Sequence, residues 1–131
     1  MANPLKVPVD QNVQLITFNV PANITSTADP IFRYIPPQRC KPLYARVVPL
    51  TEFDRTTGDE TYVLSVEVAT VKVSTDNTAI GTGNKALPMT CTIPDTQVVA
   101  ADAIIEVIAT LGGTSPIIPA GSLVILAVQH Y

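Results

Sequence analysis

Tyr62-Val63-Leu64-Ser65-Val66-Glu67-Val68-Ala69-Thr70-Val71-Lys72-Val73 decides the fold class. Leu64, Val66 and Val68 fall on one face, with Ser65, Glu67 and Ala69 on the other. A helix would instead space its apolar residues three and four apart. β-Branched side chains, stiff at χ1 and suited to a pleated surface, dominate the stretch. The spacing predicts one strand over Tyr62–Val73.

Upstream, Val13–Val20 alternates as a first strand and ends at Pro21 and the turn-prone Asn23–Thr27. A short strand follows at Ile31–Ile35, broken by Pro36-Pro37. After Arg39-Cys40-Lys41-Pro42 a further strand is expected over Leu43–Leu50. It has Leu43, Ala45 and Val47 on one face and Tyr44, Arg46 and Val48 on the other, and neither face is evidently the inner one. Glu52–Glu60 collects charge and a glycine and is read as a solvated, mobile loop.

Downstream, Gly81-Thr82-Gly83-Asn84-Lys85 is a turn and Leu87–Ile93 a strand closed by Pro94-Asp95. Thr96–Ala101 and Ala103–Leu111 flank Asp102, as two adjoining strands or one bent by a bulge. Ser122–Tyr131 follows Pro119-Ala120-Gly121 and is apolar on both faces through Val128, which predicts a central strand.

Seven to nine short strands with turn signals between them, and no helical period, imply an all-β fold. The expected architecture is a jelly-roll-like antiparallel β-sandwich spanning residues 12–131, preceded by an extended N-terminal arm at residues 1–11. The arm carries Pro4 and Pro8, which remove backbone donors. The domain is expected to fold without it. Pro4, Leu5, Lys6, Val7 and Pro8 are the expected partner-binding residues, reaching a neighbouring subunit or a larger assembly.

Composition narrows the function. Eight Lys and Arg are scattered through a chain of net charge −3, which opposes a phosphate-tracking surface and hence nucleic acid binding. No apolar run approaches the roughly 20 residues of a membrane span, and the N-terminus lacks the apolar core of a secretion signal. Synthesis and folding in cytosol are expected. There the acceptor pattern Asn23-Ile24-Thr25 has no meaning and Cys40 and Cys91, without paired spacing, are free buried thiols.

Catalytic chemistry finds few side chains to use. His130 is the one histidine, beside the C-terminus, so a Ser-His-Asp or Cys-His arrangement or a zinc site with Cys40 and Cys91 lacks its usual spacing. Gly81–Lys85 lacks the spacing of a phosphate loop and is read as a turn. Asp54, Asp59 and Glu60 lack the twelve-residue calcium pattern. Seven aromatic residues, Phe18, Phe32, Tyr34, Tyr44, Phe53, Tyr62 and Tyr131, are dispersed, which favours core and interface roles over a stacking platform. No catalytic residue, metal ligand or cofactor is assigned, and the protein is expected not to be an enzyme.

Ile16–Ala22, the segment Asp29–Ile35 leading to Cys40-Lys41, the Leu64–Val68 strand and the closing Ile118–Val124 together resemble small virion proteins of tailed bacteriophages. The likeness is closest to head decoration, or cement, proteins with a β-sandwich body, and it covers most of the chain from Asn12 onward as an overall pattern. The resemblance implies a structural protein on the outer surface of a virion capsid, with the major capsid protein as partner. It also implies a homo-oligomer, a trimer in preference to a dimer. The alternative is a receptor- or carbohydrate-binding module of a tail fibre or spike, which would need an exposed aromatic cluster or a metal-assisted pocket.

Overall fold

The computed structural model describes residues 13–25, 30–51, 59–75, 88–94, 96–114 and 116–130. Among these the chain forms eight strands and no helix: β1 Val13–Asn19, β2 Pro30–Tyr34, β3 Cys40–Val48, β4 Thr61–Val68, β5 Val71–Lys72, β6 Met89–Thr92, β7 Ile105–Gly112 and β8 Leu123–His130. The strands make two antiparallel four-stranded sheets, ordered β1-β8-β3-β6 and β2-β7-β4-β5. The sheets pack face to face as a β-sandwich, burying Ala45, Val47, Met89, Val124 and Leu126 of the first against Leu64, Val66, Ile105 and Val107 of the second.

β8 lies between β1 and β3, as its two apolar faces predict. Its inner face contributes Val124, Leu126 and Val128 to the core. On the outer face Ala127 is also fully buried, flanked in register by Leu15 and Tyr44. Flanking side chains on the same sheet therefore account for the burial of Ala127 on the outer side, and the second sheet for burial on the inner side.

The predicted strand Tyr62–Val73 is a hairpin. β4 ends at Val68 and β5 starts at Val71, and the two-residue loop Ala69-Thr70 has φ of 50° and 68°. Val68 pairs with Val71 and Glu67 with Lys72. Both loop residues adopt the left-handed backbone of a type I′ turn without the usual Asn or Gly, so alternation along the sequence concealed the reversal.

Three further expectations are corrected. Cys40, Lys41 and Pro42 belong to β3, where the register shifts between Pro42 and Tyr44, an irregularity of the kind at which a residue without an N–H is tolerated. Thr96–Ala101 is not a strand: Val99 alone bridges Cys40, through bonds of 3.0 and 2.8 Å. Asp102, with φ 68°, turns the chain and donates its N–H to Pro36 O. Glu60, assigned by its charged neighbours to a solvated loop, is fully buried beside β4. Residues 52–58 of that loop, Gly81–Lys85 and the arm with Pro4–Pro8 lie outside the described residues.

Candidate functional site

One row crosses the second sheet at its end: Tyr34 pairs with Ile105, Ile105 with Val68, and Val68 with Val71. Just beyond this row Ile35 and Ile104 project to solvent. Val98, on the segment that Val99 ties to Cys40, and Val71, at the β5 end of the row, are exposed as well. Ile35 is 56% exposed, Val71 63%, Val98 50% and Ile104 44%. The backbone beneath is fixed, because Asp102 N–H reaches Pro36 O at 2.9 Å and Ala69 N–H reaches Ile104 O at 3.3 Å. Exposed apolar side chains mark a contact surface where they are contiguous, and Ile35 and Ile104 lie at the ends of the neighbouring strands β2 and β7.

The sequence carried a partial signal for this end. In the adjacent pair Ile104-Ile105 an extended chain must turn one side chain outward, and Ile105 is the buried one. Nothing local marks Ile35, Val71 and Val98 as exposed.

A second concave surface opens along the edges β1 and β2. Phe18 and Phe32 stack at 5.5 Å between ring centroids with 21° between planes. Beside them a cavity of about 420 Å³ is lined by Val20, Asn23, Ile24 and Ile31. The dispersed aromatics of the sequence thus include one pair that the sandwich brings together from strands fourteen residues apart.

Cys40 and Cys91 are free and fully buried, and burial pushes both thiols above their ordinary pKa. A buried protonated thiol is a poor nucleophile. Cys40 pairs in register with His130 across β3 and β8, so the sandwich does bring those two together. The ring Nε2 is 2.7 Å from Gln14 Oε1, and the buried Nδ1 makes no hydrogen bond. Cys91 sits elsewhere, opposite Ala45.

Of the carboxylates weighed for calcium, Asp59 accepts from Thr114 N–H at 3.2 Å and Thr114 Oγ1 at 2.7 Å. Among the described residues no three His, Cys, Asp or Glu side chains gather as metal ligands. No described helix is long and apolar enough to cross a membrane. No family model, curated protein or solved structure matches the chain.

Proposed function

We propose that this protein is a structural virion component of a tailed bacteriophage, binding the outer surface of the capsid shell and stabilising it as a decoration, or cement, protein. Its partner is the major capsid protein. The exposed apolar residues Ile35 and Ile104, with Val71 and Val98, carry the reading, because they offer dehydratable surface. A modest contact repeated at many symmetry-related positions stabilises a shell, since each bound copy favours the assembled state. A homotrimer is the preferred assembly, on local three-fold axes as in the proteins the sequence resembles. Both thiols are buried, and the histidine ring is hydrogen-bonded to Gln14.

The Phe18–Phe32 pair and its groove favour one alternative, a receptor- or carbohydrate-binding module of a tail fibre or spike, because stacked rings offer a face for a sugar. Co-sedimentation with shells of the cognate capsid protein separates the two. Wild-type protein is expected to sediment with shells. Ile35→Glu and Ile104→Glu, both at exposed positions, are expected to retain the β-rich circular dichroism spectrum and remain in the supernatant. Unchanged sedimentation of both variants would remove the apolar end from the account. Loss of glycan binding on Phe18→Ala, with no affinity for shells, would establish the alternative.

A further inference from the structure

Three of the four sheet edges are closed to further pairing. β2 begins at Pro30, shifts register between Pro30 and Phe32, and carries the exposed Arg33 in an ion pair with Glu106 at 2.8 Å. β5 has two residues, one of them Lys72. Along β6, Thr75 N–H donates to Thr92 O at 2.8 Å, and Thr75 Oγ1 accepts from Thr92 N–H at 3.3 Å. Proline, charge, shortness and cover are the devices by which proteins protect edges. β1 has none of them. Its seven residues, Val13–Asn19, hold no charge and no proline, keep a regular register with β8, and leave Leu15 55% exposed on the outer face.

The direction of its free hydrogen-bonding groups follows from the next residue. Val20 donates to Ser122 O at 2.9 Å and accepts from Gly121 N–H at 2.7 Å, so its backbone polar groups point towards the β8 side. Backbone groups alternate sides along a strand. Val13, Leu15, Thr17 and Asn19 therefore aim N–H and C=O outward, and among the described residues no strand meets them.

The residues preceding β1 match this edge in three ways. Leu5, Val7 and Val9 recur every second residue. Pro4 and Pro8 both occupy the other parity, so an extended segment keeps every donor on the Leu5-Val7-Val9 edge and loses two on the opposite edge. Between Val9 and Val13 stand Asp10-Gln11-Asn12, the length of a three-residue hairpin loop, with asparagine where such loops need a left-handed residue.

We propose that Asn3–Val9 of the same chain is the occupant of the free β1 edge. It pairs antiparallel in the register Val9↔Val13, Val7↔Leu15 and Leu5↔Thr17. Val7 then covers Leu15, and the outward parity carries Pro4 and Pro8, so the new edge is blocked against a second copy. In this register the arm closes the first sheet and is not a free clasp. The inference is independent of the capsid reading.

Two measurements on the complete chain test it. In this register Pro8 and Gln14 form a non-hydrogen-bonded pair with Cα atoms about 4.5 Å apart, within disulfide range. The Pro8→Cys/Gln14→Cys variant is expected to oxidise within one chain, running as a monomer on a non-reducing gel. By hydrogen exchange, the Leu15 and Thr17 amides of the unmodified chain should exchange at least about tenfold more slowly than in a chain lacking residues 2–9. Equal exchange rates in the two chains would overturn the pairing. A disulfide linking two chains would overturn its placement on the same chain and show the arm exchanged between copies.

Discussion

Phe18 on β1 and Phe32 on β2 stack across the gap between the two sheets, ring centroids 5.5 Å apart, and so join edges that no backbone hydrogen bond connects. The pair belongs to different sheets, so its contribution is to sheet-to-sheet docking. Either ring replaced by alanine should lower unfolding free energy by about 1–3 kcal/mol, less than for a fully buried phenylalanine because Phe18 remains partly exposed. A double-mutant cycle in urea should return a coupling of about 0.5–1.5 kcal/mol. Additive losses would mean that the rings do not interact in solution.

The hairpin loop Ala69-Thr70 places two side-chain-bearing residues at φ of 50° and 68°. Left-handed backbone costs such residues free energy that asparagine and glycine largely avoid. The double substitution Ala69→Asn/Thr70→Gly should therefore raise stability by about 1 kcal/mol and raise Tm by several degrees. A lower Tm would show that the loop side chains make contacts worth more than the strain.

Gly113 and Gly121 both have positive φ, 94° and 88°, but their surroundings differ. A Cβ on Gly113 would lie 2.5 Å from Asp59 O and 2.7 Å from Glu60 Cα, both backbone atoms. One on Gly121 would meet a side-chain methyl, Leu50 Cδ2, at 2.9 Å. Backbone strain of about 1–3 kcal/mol is common to both. Gly113→Ala should be the more destabilising by a clear margin in chemical denaturation, and equal losses would show that the Asp59–Glu60 backbone yields freely.

Burial pushes the thiols of Cys40 and Cys91 up, and it pushes Tyr34 up as well, helped by the neighbouring Cys40. A group whose pKa is higher folded than unfolded stabilises the fold fully below its unfolded value and ceases to do so as pH rises through its folded value. The contribution of these three groups to stability should therefore be constant below about pH 8, where free thiols begin to ionise, and fall above it. Cys91→Ala should reduce that alkaline slope. Native protein at pH 8 should react slowly with a thiol reagent, and two thiols should titrate in denaturant without reductant, in keeping with two free cysteines.

Sequence periodicity located most of the sandwich. β1 and β6 fall within predicted stretches, β2, β4 and β7 each pass one bound by a single residue, and the two-faced apolar run at Ser122–Val128 placed β8 inside a sheet. The break at Ala69-Thr70 left a trace: Leu64, Val66 and Val68 sit at even positions and Val71 and Val73 at odd ones, a phase change that a two-residue loop produces. Glu60 was misassigned because its charged neighbours outweighed the adjoining strand. The apolar end and the aromatic pair were illegible for a different reason. They assemble from segments far apart in sequence, and their proximity depends on strand order, which local patterns do not encode.

The central claim, that this is a shell-bound structural protein of a phage virion, meets its most direct test in the copy number of the chain in purified virions. Quantitative mass spectrometry against the major capsid protein should count it in the hundreds per particle, released together with loss of shell stability. A count of a few copies, or absence from the particle, would contradict the account.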